Sequence, residues 1–138
     1  QLIGIHIRGG DYENLKNKKI FFKVDKNFYL LAVKIAKENF SNLKFLVFSD
    51  DVHKAKKFLG NFNKDLLYVE DISQNRDDDF QLLSQCDHFI IPNSTFSLWA
   101  AYLSSNKKKT LISPKKWLKD NKNNFDQVDQ SLFNCIFI

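Results

Sequence analysis

Five short apolar runs are spaced along this chain with amphipathic stretches between them, and each run stops at a cluster of polar or glycine residues. Leu2 to Ile7 ends at Arg8-Gly9-Gly10-Asp11, and Lys44 to Phe48 ends at Ser49-Asp50-Asp51. Leu66 to Val69 is the third run, His88 to Ile91 the fourth and Thr110 to Ser113 the fifth; Pro92-Asn93-Ser94-Thr95 follows the fourth and Pro114 the fifth. Runs of four to six residues bounded by such breakers read as buried strands. Between them, Asp25 to Asn39 carries Phe28, Leu31, Ala32 and Ile35 near helical spacing, with Asp25 placed to cap it. Val52 to Leu59 reads as a helix closed by Gly60, Asp78 to Gln85 as a third helix with an acidic start, and Pro92-Asn93-Ser94-Thr95 opens a fourth that runs through Leu103. Strands alternating with helices predict an α/β fold, a parallel sheet covered on both faces. The last stretch, 121–138, is polar and then apolar, and either packs back on the core or has lost a neighbour.

Hydrophobic residues make up 43% of the 138, enough for one core and hardly two, so residues 1–138 are expected to form one domain. The chain opens at Gln1-Leu2-Ile3, without Met and inside a strand, which predicts that an N-terminal part is missing. No segment approaches the roughly 18 consecutive apolar residues of a membrane span. Two cysteines far apart, Cys86 and Cys135, fit no metal spacing and read as reduced thiols of a cytoplasmic protein. His53 and His88 read as structural. Neither the phosphate-cradling glycine loop of nucleotide hydrolases nor a nucleophile elbow is present. The net charge of +5 favours anionic company: a phosphate-bearing small molecule, nucleic acid or an anionic membrane surface. No nucleic-acid-binding module's aromatic or helical signature accompanies the charge. The lysine clusters (54, 56 and 57; 107 to 109; 115, 116 and 119) read first as solvated faces.

In parallel sheets, ligands bind beyond the carboxyl ends of the strands. The polar clusters fall there, which predicts one shared crevice. Strand alternation puts His6 and Arg8 on one face. The Arg8 guanidinium at the strand tip suits a bidentate grip on phosphate, and Gly9 and Gly10 allow close approach to their backbone. The same pattern also fits a strand end with a surface arginine and an Asx turn. In Asn93-Ser94-Thr95-Phe96-Ser97, a helix start offers free N–H groups to an anion; ordinary capping by Ser94 or Thr95 fits as well. Asp79 either complements a helix dipole or accepts two N–H bonds from a guanine edge, and Asp50 and Asp51 leave a similar choice, with capping favoured.

Taken together, these segments resemble glycosyltransferase family 11, the α-1,2-fucosyltransferases. The family's His-x-Arg-Arg-x-Asp-Tyr motif corresponds to His6-Ile7-Arg8-Gly9-Gly10-Asp11-Tyr12, and its Phe-Ser-Asp-Asp to Phe48-Ser49-Asp50-Asp51. A third block runs from Asp79 through Pro92-Asn93-Ser94-Thr95-Phe96-Ser97 to Leu103, and Pro114-Lys115-Lys116-Trp117 is the fourth. The resemblance implies a Rossmann-like parallel sheet flanked by helices, one half of a GT-B glycosyltransferase, with the N-terminal acceptor-side lobe absent from this chain. It implies inverting transfer of L-fucose from GDP-β-L-fucose, without a metal or other cofactor, to the 2-hydroxyl of a galactose in a glycan acceptor. Arg8 would hold the β-phosphate, and His6 and Asp79 would lie near the guanine or ribose. Asn93 to Ser97 would line the pyrophosphate and nucleotide, with Gly9, Gly10 and Tyr12 in the donor site. Asp11 would act as the base or position Arg8. The partners expected are GDP-fucose, the acceptor and the missing lobe, not nucleic acid, at the inner face of an anionic membrane. The isolated piece is expected to be inactive, and a non-catalytic nucleotide-sugar-binding remnant is the alternative. One departure stands out: the family's second arginine is Gly9, removing about 1.5–3 kcal/mol of charge-assisted bonding unless Lys16 or Lys18 substitutes.

Overall fold

The computed structural model describes residues 1–9, 19–60, 65–71, 75–119 and 130–138, apart from the side chains of Asp71, Arg76 and Gln130. The expectations for Gly10, Asp11, Tyr12, Lys16, Lys18 and residues 121–129 lie outside the described residues.

Six strands are described: β1 (Leu2–Ile7), β2 (Lys44–Ser49), β3 (Leu66–Tyr68), β4 (His88–Ile90), β5 (Thr110–Ser113) and β6 (Asn134–Phe137). Four α-helices lie between them: α1 (Lys26–Asn39), α2 (Val52–Leu59), α3 (Arg76–Ser84) and α4 (Thr95–Leu103). The strands form one sheet in the order β3-β2-β1-β4-β5-β6, and every pairing is parallel. This is the Rossmann-like sheet expected of one half of a GT-B glycosyltransferase. The chain order reverses between β1 and β4, and in such sheets that point opens a crevice at the strands' carboxyl ends.

Two apolar layers follow from strand alternation. Ile3, Ile5 and Ile7 of β1 join Phe45 and Val47 of β2 under Tyr29, Ala32, Val33 and Ala36 of α1 and Ala55 and Leu59 of α2. On the other face, Leu46, Phe48, Phe89 and Leu111 pack with Leu83 of α3 and Ala100 and Ala101 of α4. Gly4 belongs to this second face: a Cβ there would collide with Leu83 Cδ1 and lie 3.1 Å from Cys86 Sγ, so α3 lies directly against the β1 backbone. Burial pushes the Cys86 thiol up to about 12, which keeps it protonated and unreactive.

The helix ends obey the local sequence. Asp25 caps α1 by accepting the N–H groups of Asn27 and Phe28 at 2.9 and 3.3 Å. Asp51 caps α2 by accepting Lys54 N–H at 2.9 Å, and Gly60 closes that helix at φ 53°, where a side chain would be strained. The third helix begins at Arg76 rather than Asp78, because Asn75 accepts the N–H groups of Asp77 and Asp78 at 3.0 and 2.9 Å. Val69 lies in a 3-10 turn after β3. The terminal apolar stretch becomes the edge strand β6. Lys109 departs from the solvated-face expectation: it is buried, and its ammonium donates 2.9 Å bonds to the carbonyls of Tyr102 and Ser104. It thereby satisfies orphan acceptors at the end of α4 and opposes the helix dipole.

His88 remains in the core. Its Nδ1 accepts Thr110 N–H at 3.0 Å, its ring stacks on Phe40 at 4.0 Å, and Nε2 has no partner among the described residues. Burial holds this imidazole below the usual histidine value of 6.5, although the Asp87 carboxylate pulls the other way. A depressed folded value makes His88's stabilising contribution complete above the unfolded value and lost as pH falls through the lowered folded one. Urea midpoints should therefore drop as pH falls below about 6.5, and His88→Asn, which keeps an acceptor at the Nδ1 position, should reduce the drop.

Candidate donor-binding site

Three strand ends build the cleft at the β1/β4 crevice. Gly4, His6 and Arg8 face α3 and α4, as alternation predicts. His6 is 93% covered, and its ring lies 5.4 Å from Phe96 at the start of α4. Phe96 in turn meets Phe80 of α3 edge-on at 5.4 Å. One step past the strand, half-buried Arg8 directs Nη1 to Ser94 Oγ at 3.5 Å, across the gap between β1 and β4. The resulting cavity of about 100 Å³ is lined by His6, Arg8, Phe48, Ser49, Asp50, Asp79 and Phe96. Pockets that enclose a whole ligand span roughly 300–1,000 Å³. This one is smaller than that, so a ligand of nucleotide size would fill it only with a part of itself.

The turn that carries Arg8 is held from β2. Ser49 Oγ donates to Ile7 O at 2.7 Å and accepts Asp51 N–H at 3.0 Å. Gly9 N–H donates to Asp50 Oδ1 at 2.6 Å, and Lys54 Nζ approaches Gly9 O at 3.5 Å. Gly9 is required by space: a Cβ there would collide with Asp51 Cβ. Gly9 therefore belongs to a tight contact between the first two strand ends. Sequence reasoning left Asp50 and Asp51 between capping and a functional role, with capping favoured. Asp51 is a cap, while Asp50 is a cleft residue that fixes the backbone after Arg8. Ser49 and Asp50 line the crevice that the polar cluster after β2 predicted, while Phe48 was missed as a lining residue; its place at the end of β2, beside β1, was the available signal.

The start of α4 divides its polar residues. Ser94 occupies the cap position but makes no side-chain cap bond, and its hydroxyl receives Arg8 instead. The first helical bond runs from Leu98 N–H to Ser94 O, so the N–H groups of Thr95, Phe96 and Ser97 precede the ladder. Asn93 donates through Nδ2 to Phe22 O at 2.9 Å and Trp117 O at 2.7 Å. Ser97 is fully buried and donates to Ser94 O at 3.2 Å. Those two side chains frame the site rather than face the cleft, and Thr95 is exposed. Asp79, one turn into α3, does reach the cavity wall.

The chain matches the model of Glycosyl transferase family 11 over residues 1–135. It belongs to that family. Family 11 relatives include the Escherichia coli alpha-1,2-colitosyltransferase, 34% identical over 129 residues, which cover 90% of this chain and 44% of that protein. The E. coli O-antigen biosynthesis glycosyltransferase WbnK is 31% identical over 85% of this chain and 39% of its own length. The galactoside alpha-(1,2)-fucosyltransferase 2 of Pongo pygmaeus is 31% identical over 74% of this chain and 30% of its own. The chain thus spans less than half the length of these relatives. In fold it resembles the fucosyltransferase NodZ from Bradyrhizobium, with a TM-score of 0.52 and 16% identity over 90% of this chain and 39% of NodZ. A NodZ alpha-1,6-fucosyltransferase crystal soaked with GDP-fucose gives a TM-score of 0.52 at 17% identity, over 80% of this chain and 38% of that one.

Proposed function

We propose that this chain is the donor-binding part of an inverting glycosyltransferase that moves L-fucose from GDP-β-L-fucose to a glycan hydroxyl, the 2-hydroxyl of galactose. The observation that carries the reading is Arg8 reaching Ser94 across the β1/β4 crevice. A diphosphate that parts this 3.5 Å contact would meet a guanidinium fork on one side and helix N–H groups that precede the ladder on the other. When the bond from fucose C1 to the phosphate oxygen breaks, its electron pair goes to the β-phosphate. Arg8 and the α4 N–H groups then stabilise that charge, so a metal is not required. The acceptor oxygen bonds C1 from the opposite face and gives its proton to a carboxylate, for which Asp11 is the candidate.

Asp79 and His6 serve the guanosine end, beside Phe96. Gly9, Gly10 and Tyr12 are assigned to donor binding by the same motif that carries Arg8. Acceptor contacts belong to the remaining length of the protein, so the isolated chain binds donor without transferring it. Gly9 favours a second reading, a nucleotide-sugar-binding remnant, because one family guanidinium is missing. Activity of the longer parent on galactosides separates the two.

The test is calorimetry on the chain with GDP, UDP and ADP. GDP should bind with a preference of at least about tenfold, the order of one guanine-specific hydrogen-bonded contact. Equal affinities, or no heat with GDP, would end the donor-site reading.

A further inference from the structure

Beside the cleft, a short ribbon joins two distant segments. Phe21 and Leu118 form an antiparallel bridge, flanked by Phe22 N–H to Trp117 O and Lys119 N–H to Ile20 O, both 2.9 Å. The ribbon is fastened at the cleft end of the sheet. Asn93, next to Ser94, donates to both Phe22 O and Trp117 O, and Trp117 Nε1 donates to Ser113 Oγ at the end of β5 at 3.2 Å. Its outer surface carries Ile20 and Phe22, 45% and 40% exposed. Around them, Lys19, Lys23, Lys26, Lys115, Lys116 and Lys119 are all exposed. Segments 19–26 and 115–119 hold one carboxylate, Asp25, and its oxygens are occupied in capping α1. Lys34, Lys44 and Lys56 elsewhere each have a carboxylate partner; none of these six has one among the described residues.

We propose that this ribbon docks the protein on an anionic lipid bilayer, with Ile20 and Phe22 entering the headgroup layer and the six lysines pairing with lipid phosphates. Exposed apolar side chains ringed by unpaired lysines match the two attractions of an interfacial surface, apolar burial and counter-charge. The long lysine stems can lie along the bilayer while their ammonium groups stay at headgroup level. Charge alone would serve duplex nucleic acid equally; Ile20 and Phe22 would add little there.

The experiment is co-sedimentation of the chain with vesicles of phosphatidylcholine alone and of phosphatidylcholine mixed with phosphatidylglycerol, with GDP binding measured separately on the same samples. Binding is expected on the mixed vesicles only. The double variant Lys116→Gln/Lys119→Gln should weaken it about thirtyfold, taking each lysine's electrostatic attraction at the surface as equal. Ile20→Ser/Phe22→Ser should weaken it too, while GDP binding and the urea midpoint stay unchanged. Lys107→Gln/Lys108→Gln, at the opposite end of the sheet, should leave it unaltered. Equal binding to both vesicle types, an equal loss in the Lys107/Lys108 variant, or preference for duplex DNA over the mixed vesicles would overturn the proposal.

Discussion

Replacing Arg8 with alanine will weaken GDP binding by about ten- to a hundredfold while leaving the urea midpoint nearly unchanged. Hydrogen bonds to a charged group contribute about 1.5–3 kcal/mol, and 1.4 kcal/mol is a factor of ten. The side chain is half-buried at the cleft and belongs to neither apolar layer, so the core loses little when it goes. Arg8→Lys keeps the charge but loses the planar fork, and should recover only part of the affinity. Calorimetry on the three proteins is the measurement. An alanine variant that binds GDP as tightly as the parent would remove Arg8 from the site.

Restoring the family's second arginine by Gly9→Arg will not restore a binding group; it will destabilise the chain by about 2–4 kcal/mol. The obstacle is the Cβ rather than the guanidinium, since it would occupy the position of Asp51 Cβ, an atom that cannot rotate away. Relief requires the 50–51 backbone to shift, which endangers the Asp50 bond to Gly9 N–H and the Asp51 cap on α2. Gly9→Ala should therefore carry most of the loss. Urea denaturation of both variants checks this. A Gly9→Arg protein as stable as the parent, with tighter GDP binding, would show that the two turns are not interlocked.

Much of the fold was legible because its strands are short apolar runs with hard stops. The ends of β1, β5 and α2 fall where composition changes abruptly, at Arg8, Pro114 and Gly60. The sixth strand was not legible. Asn134–Phe137 is a four-residue edge strand with side chains half-buried from Cys135 on, and among the described residues its strand partner is β5, 24 residues earlier at Thr110–Asn134. The face shared by His6 and Arg8 follows from alternation alone. Asn93 shows the limit: its type and position suited a ligand, yet its amide faces carbonyls 71 and 24 residues away, which local pattern cannot reveal. Lys109 looked like part of a solvated run for the same reason, its role being set by the end of α4.

The position of β1 at the middle of an all-parallel sheet has a consequence for synthesis. Its β2 partners lie about 42 residues downstream, at Leu2–Lys44, and its β4 partners 85, at Ile5–Ile90. At about 5–20 residues per second, the ribosome takes roughly 4–17 s to deliver the second edge. During that interval Ile3, Ile5 and Ile7 sit on an open strand edge, available to other nascent chains or to a holdase. The strand that carries the arginine is made before its neighbours and completed only after β4 has emerged.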